Sequence, residues 1–263
     1  MSNIVIFNFI AGCTIGLGLV AVFATYFLKN KTIGHLLLGL AMAFLLGYIT
    51  FLWIKLGRAP LRTIGETRLW YAFFVSLIGF VLFWRYKFKW MMLFTIVMID
   101  VFLMINLLHP ENFDKSLMPA LQSYWFVPHV IIYIFAYSIL GVSAIFAVKG
   151  LYQYNRNQFN PETLLMADKL VYIGFAFSTI GMLFGAMWAK EAWGHYWSWD
   201  PKETWALLTW LIYMLYIHYR LHKAQNVKIA LYILIFAYMI LLICWFGVNY
   251  LPSAQNSIHV YSK

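Results

Sequence analysis

Residues 188–205 read Trp188-Ala-Lys-Glu-Ala-Trp-Gly-His-Tyr-Trp-Ser-Trp-Asp-Pro-Lys-Glu-Thr-Trp205, and the rest of the chain is organised around them. Five tryptophans (Trp188, Trp193, Trp197, Trp199 and Trp205) fall within eighteen residues, beside Gly194, His195 and the turn Asp200-Pro201. The second half of the stretch is a helix start. Asp200 suits the N-cap, Pro201 the first helical position and Glu203 the third, a capping-box pattern. Trp193 and Trp197 stand one helical turn apart, with Trp199 just outside the cap, so the stretch predicts a flat aromatic platform. Tryptophan favours the boundary between hydrocarbon and water, and one or two would be ordinary interfacial anchors. Several packed around a glycine and an ordered turn suit a large flat ligand better.

Apolar runs extend outward from this stretch in both directions. Hydrophobic residues make up 63% of the chain and charged residues only 11%, where a soluble domain carries about a quarter charged. A soluble globule is thereby excluded. The pattern predicts an all-α, polytopic membrane protein with about eight spans, near 4–28, 33–56, 68–84, 90–108, 128–151, 167–188, 204–222 and 228–249. No soluble domain fits between them, so residues 1–263 read as a single transmembrane domain with an external tryptophan-rich segment, 188–205. The first span lacks a basic leader, and no cleavable signal is expected. The net charge of +10 is not a nucleic-acid signal, because the basic residues lie in short loops, where they orient the chain. With the N-terminus outside, inner segments hold eleven of the 19 basic residues and outer segments eight. The two cysteines, Cys13 and Cys244, stand alone in apolar runs. Without a Cys-x-x-Cys pair a thiol-redox role is not expected, nor is a covalently bound haem.

From Trp193 to Trp205 the sequence resembles the tryptophan-rich "WWD" signature of the CcsA/CcmC/CcmF haem-handling proteins of cytochrome c biogenesis. The run Trp210-Leu-Ile-Tyr-Met-Leu-Tyr-Ile-His218-Tyr-Arg220 is most similar to the CcsA (ResC) branch. Residues 58–72, which open Arg58-Ala-Pro-Leu-Arg-Thr-Ile-Gly-Glu66-Thr-Arg68, also look like that branch. The resemblance covers roughly 125–259; the first helix carries little to match.

This resemblance gives the histidines their roles. It implies a non-covalent, bis-histidine haem b with His129 and His259 as external axial ligands. The haem would lie against Trp193, Gly194, Trp197, Trp199 and Asp200. His129 stands in a Trp-x-x-x-His setting that begins at Trp125. The tail around His259 has Ala254-Gln255-Asn256 where the family usually has a glycine-containing segment. His218 matches one of two intramembrane histidines that receive haem from the inner side. It lies fifteen residues past Glu203, roughly 22 Å along a helix in a hydrocarbon core some 30 Å thick, and so near the inner face. The second inner ligand normally belongs to a partner subunit, although His35 enters the second span at a similar depth.

Three other features stand out. Arg58, Arg62 and Arg68 surround Pro60 and Glu66 in a loop that is either an ordinary solvated loop or a cluster suited to haem propionates, since arginine binds carboxylates bidentately. Asp100, in the fourth span, is either functional or satisfied by a neighbouring helix through a residue such as Asn106 or Ser178. Asn160-Pro161-Glu162 opens the sixth helix.

The family likeness implies haem transport across the membrane and presentation of haem to apocytochrome c, within a synthase that includes a CcsB/ResB-like membrane subunit. Any enzymatic activity would belong to that complex, because no nucleophile, general base or nucleotide loop is visible. A haem exporter without synthase activity, a b-type electron-transfer subunit, and a structural scaffold or unrelated transporter with the aromatics as belts are the competing readings. The membrane would be the bacterial inner membrane or the thylakoid, with the tryptophan-rich loop and both termini on the periplasmic or lumenal side.

Overall fold

A computed structural model describes residues 3–113, 119–222 and 226–252. Eight long helices follow one another: α1 (Asn3–Tyr26), α2 (Lys31–Leu56), α3 (Ile64–Tyr86), α4 (Lys89–Leu108), α5 (Phe126–Asn155), α6 (Pro161–Trp193), α7 (Pro201–Leu221) and α8 (Val227–Trp245). No strand occurs among the described residues. Seven of the helices, all but α7, are long and apolar enough to cross a membrane. The chain is an all-α integral membrane protein. The remaining helix, α7, is 21 residues long and includes Lys202, Glu203, His218 and Arg220.

Local chemistry sets the helix ends. At α3 the Thr63 side chain accepts from Glu66 N and the Glu66 side chain accepts from Thr63 N, a capping box. It starts the helix four residues before the expected 68. At α6 Asn160 Oδ1 accepts from Glu162 N at 2.9 Å and Pro161 fills the first turn, as the sequence indicates. This helix runs on to Trp193, where Gly194 takes the left-handed conformation (φ 88°). Trp193 and Trp197 are therefore not on one helix, which corrects the helical-turn spacing. Glycine at C′ without a Cβ ends the helix between them.

The helices form two compact units, Met1–Leu117 and Met118–Lys263. In the first, Asn106 Nδ2 donates to Gly65 O at 3.0 Å, tying α4 to α3, and Thr25 Oγ1 donates to Met92 Sδ at 3.0 Å, tying α1 to α4. Arg58 grips Glu66 bidentately at 2.9 and 3.0 Å, and Glu66 also accepts from Arg62 N at 2.8 Å. Burial and the neighbouring Arg58 pull the Arg62 guanidinium below its ordinary value, with Glu66 opposing them. Of the residues suggested for Asp100, Asn106 serves Gly65 O within this unit, and Ser178, in the second unit, donates to Phe175 O. Asp100 Oδ1 is buried with no hydrogen-bond partner among the described residues.

In the second unit, small residues let α5 and α6 approach closely, as helices in lipid commonly do. A Cβ at Gly174 would meet Leu140 Cδ2 at 2.7 Å, and one at Gly181 would meet Tyr133 at 3.1 Å. Trp210 Nε1 donates to Thr179 Oγ1 at 2.8 Å, joining α7 to α6. Further along, Arg220 Nε and Nη2 donate to Asp168 at 2.9 and 2.7 Å, and Tyr216 Oη donates to Asp168 Oδ1 at 2.7 Å. A buried carboxylate survives in such surroundings only when its charge and lone pairs are met. Here one guanidinium and one phenol meet them.

Candidate functional site

The site is built where α5 begins and α6 ends, both in the second unit. Before α5, Ser123 Oγ accepts from Trp125 N at 3.2 Å and donates to Glu191 Oε2 at 2.6 Å. Trp188 Nε1 donates to Ala120 O at 2.8 Å. These two links hold the segment that leads into α5 against the end of α6. Trp125 stacks on Phe184, with ring centroids 5.7 Å apart.

His129 lies in the first turn of α5, as expected, although the helix starts two residues before Pro128. Its Nδ1 sits 2.9 Å from Gly181 O of α6. A carbonyl only accepts, so Nδ1–H must donate, and in the neutral ring the lone pair falls on Nε2. The imidazole stacks on Trp188 (5.4 Å, 24°) and meets Tyr133 edge-on (5.0 Å, 89°). A Cβ at Gly185 would stand 2.6 Å from His129 Cε1. The ring therefore occupies a notch that exists only because residue 185 has no side chain.

Trp188 carries the site onward. It is 3% exposed and meets Trp193 at 4.8 Å. The turn that follows is set by Gly194, whose carbonyl accepts from Lys190 Nζ at 2.7 Å, and by His195, whose Nδ1 bonds Trp193 O at 2.9 Å. At its far end Trp199 has φ 61°, an unusual value for so large a residue. Its ring is 68% exposed and lies edge-on to Trp197 at 5.8 Å. Trp197 Nε1 is buried without a hydrogen-bond partner among the described residues. Asp200 is the N-cap of α7, accepting from Lys202 N at 2.9 Å. Glu203 Oε2 completes the capping box by accepting from Asp200 N at 3.2 Å, and it also accepts from Ser198 N at 2.8 Å. Two carboxylates are thus used to fix the backbone that presents Trp197 and Trp199.

The structure brings His129, Trp188 and Trp193 together through ring contacts, ties Trp125 to His129 through the backbone with its ring on Phe184, and joins Trp197, Trp199 and Asp200 through one loop. It does not bring His218 to them. That residue lies near the other end of α7, exposed, with Nδ1 on Met214 O at 2.9 Å. His35, in the first unit, lies parallel to Phe83 at 3.8 Å with Nδ1 on Lys31 O at 2.9 Å. Its Nε2 is buried without a partner among the described residues. Arg58 and Glu66 are engaged with each other. His259 lies outside the described residues.

Sequence reasoning missed Gly181, Gly185 and Asp168. The glycines form a Gly-x-x-x-Gly pair, Gly181-Met-Leu-Phe-Gly185, the spacing by which helices in lipid approach closely. That spacing was the available signal. Asp168 is buried near the start of α6, where an acid calls for a partner.

Chemically, the arrangement offers an imidazole that keeps its lone pair on Nε2 while a carbonyl holds its other nitrogen, the arrangement in which histidines usually bind metals. The Trp188 indole stacks on the ring, and the loop that follows carries Trp197, whose indole N–H has no partner among the described residues and suits an acceptor such as a carboxylate. An aromatic, carboxylate-bearing metallomacrocycle fits that donor set.

The family described as "Cytochrome C assembly protein" matches residues 9–254. "Cytochrome c biogenesis protein CcsA" of Chlamydomonas reinhardtii is 30% identical, over 88% of this chain and 69% of its own length. The proteins of the same name from Guillardia theta and Helianthus annuus are 32% and 30% identical, over 78% and 81% of each chain.

Proposed function

This chain belongs to the cytochrome c assembly protein family, and from that premise we propose that it carries haem across a membrane and presents it for attachment to apocytochrome c. Its CcsA relatives bear the name of cytochrome c biogenesis, and the coarse role is taken from them. The finer reading rests on one observation: His129 is held by Gly181 O with its metal-binding nitrogen on the opposite edge, stacked on Trp188 of the tryptophan-rich segment.

Haem b is the cargo, and it supplies the iron and the vinyl groups that the acceptor's thiols join. His129 and His259 would bind the iron axially on the outer side. Trp193, Trp197, Trp199 and the turn at Gly194 would cover the macrocycle, with Asp200 holding that surface in place. His218 would bind iron near the inner face, where Nδ1–H donation to Met214 O leaves Nε2 as the ligand nitrogen. Its counterpart would come from a CcsB/ResB-like subunit. In this reading α7 crosses the membrane with the others, and the Asp168–Arg220 pair neutralises its inner end. The tryptophan-rich loop and both termini face the periplasm or thylakoid lumen. The chain contributes ligands, orientation and exclusion of water, while apocytochrome c brings its own cysteines.

The test is the absorption spectrum of the protein purified with its partner subunit, as wild type and as His129→Gly, each with and without imidazole. Haem should co-purify with a six-coordinate low-spin spectrum that His129→Gly disturbs and imidazole restores. A wild type without haem, or a His129→Gly spectrum identical to wild type, defeats the proposal.

A further inference from the structure

We infer that Gly181 and Gly185 of α6 form a dedicated seat for the His129 imidazole, and that they act as positioning residues for this metal-binding group. The inference rests on the haem-presenting reading above and extends it to two residues that touch no cargo.

Two independent features of α6 act on the same ring. Gly181 O, 2.9 Å from Nδ1, fixes which nitrogen carries the proton. A neutral imidazole without that acceptor divides between two tautomers, and one of them cannot bind iron through Nε2. The bond also makes the ring a stronger donor, as a carbonyl behind a ligating histidine does generally. Gly185 then supplies room: a Cβ there would lie 2.6 Å from Cε1 and 2.8 Å from Nδ1 of His129. Real side chains do not tolerate such approaches, so either helix or ring must shift. The ring is the end of a rotatable side chain and moves most cheaply, and when it moves it leaves Gly181 O. An alanine at 185 therefore undoes what Gly181 does, although the two residues are a full helical turn apart.

General packing is the rival explanation, and the same helix pair contains its control. A Cβ at Gly174 would meet Leu140 Cδ2 and Cγ at 2.7 Å. The overlap is similar and the α5–α6 interface is the same, but no titratable ring is involved. If Gly185 served only close packing, Gly174→Ala and Gly185→Ala would behave alike.

The decisive experiment needs no haem. The full chain, labelled with 15N-histidine and held in detergent micelles, is examined by NMR, with the His129 resonances identified by their loss in His129→Gly. Wild type should show His129 with Nδ1 protonated. Gly185→Ala should shift it toward the other tautomer or a mixture, whereas Gly174→Ala should leave it unchanged. Gly181→Ala keeps the carbonyl, and its Cβ would come only within 3.1 Å of Tyr133, so it should also keep the wild-type tautomer. In protein loaded with haem alongside its partner, Gly185→Ala should lose most of the low-spin band and regain it with imidazole. It should have no further effect in a His129→Gly background. An unchanged His129 signal in Gly185→Ala, or equal changes in Gly174→Ala, overturns the seat. A wild type that holds the expected tautomer but never binds haem overturns the haem-presenting reading, and with it the purpose assigned to the seat.

Discussion

Glu66→Ala should be among the most destabilising single changes in the first unit. The carboxylate is 2% exposed. It accepts from Arg58 Nη1 at 3.0 Å, Arg58 Nη2 at 2.9 Å, Arg62 N at 2.8 Å and Thr63 N at 3.2 Å. Alanine removes all four bonds and strands a guanidinium that is only 17% exposed. Breaking a buried ion pair by deleting one partner costs about 3–5 kcal/mol. Loss of the capping box at α3 adds about 1 kcal/mol. The residual exposure of Arg58 lets water relieve part of the first cost, so the expected total is about 4 kcal/mol. Glu66→Gln keeps an oxygen for Arg58 Nη1 and the two backbone donors but sets an NH2 where Oε1 accepts from Arg58 Nη2, so it loses the charge and that bond and should cost about 2 kcal/mol. The double variant Arg58→Met/Glu66→Leu removes both charges together and should recover most of the alanine loss, because no unpaired ion remains. The assay is a denaturant titration of purified protein in mixed micelles, followed by far-ultraviolet circular dichroism. If Glu66→Ala falls within about 0.5 kcal/mol of wild type, the carboxylate is not bearing the guanidinium and the reasoning is wrong.

Asp168→Ala should cost about 3–5 kcal/mol in the same titration, since it strands Arg220 near the end of α7, and Tyr216→Phe about 1.5 kcal/mol through one lost bond to a charged acceptor. Gly194→Ala should cost about 1 kcal/mol from backbone strain alone. It adopts φ 88° and a Cβ there would meet nothing within 4 Å, so Gly194→Asn should be milder. Ser123→Ala should loosen the segment before α5 through the lost bond to Glu191, and protease cutting between residues 119 and 125 should quicken while α6 stays intact.

Much of the architecture was legible because it is written locally. Asp200, Pro201 and Glu203 state a helix start in three letters, and so do Asn160, Pro161 and Glu162. Apolar length placed all eight long helices, seven of which are long and apolar enough to cross a membrane. Errors came where a local signal was underused. Thr63 and Glu66 are as good a capping box as the one at α7, yet the third helix was begun at 68. Gly194 sat between Trp193 and Trp197, and a glycine at that spacing ends a helix more readily than it continues one. The site was half legible. Tryptophan density marked the loop, and His129 was picked out by its family setting. What holds His129 was not legible, because Gly181 and Gly185 stand more than fifty residues away in sequence and reveal themselves only when α5 lies against α6. The Asp168–Arg220 pair was hidden for the same reason. Arg58 shows the converse: read as a grip for a carboxylate, it does hold one, and that carboxylate is Glu66.

The connection between α5 and α6 spans only residues 156–160, and Gly181 O, Gly185, Tyr133 and Trp188, which seat the His129 ring, all belong to these two helices. A connection this short lets them pair as a hairpin during synthesis without waiting for α7 and α8 to pack. The imidazole is thus oriented early, and the chain acquires its grip before it acquires the surface over which that grip will work.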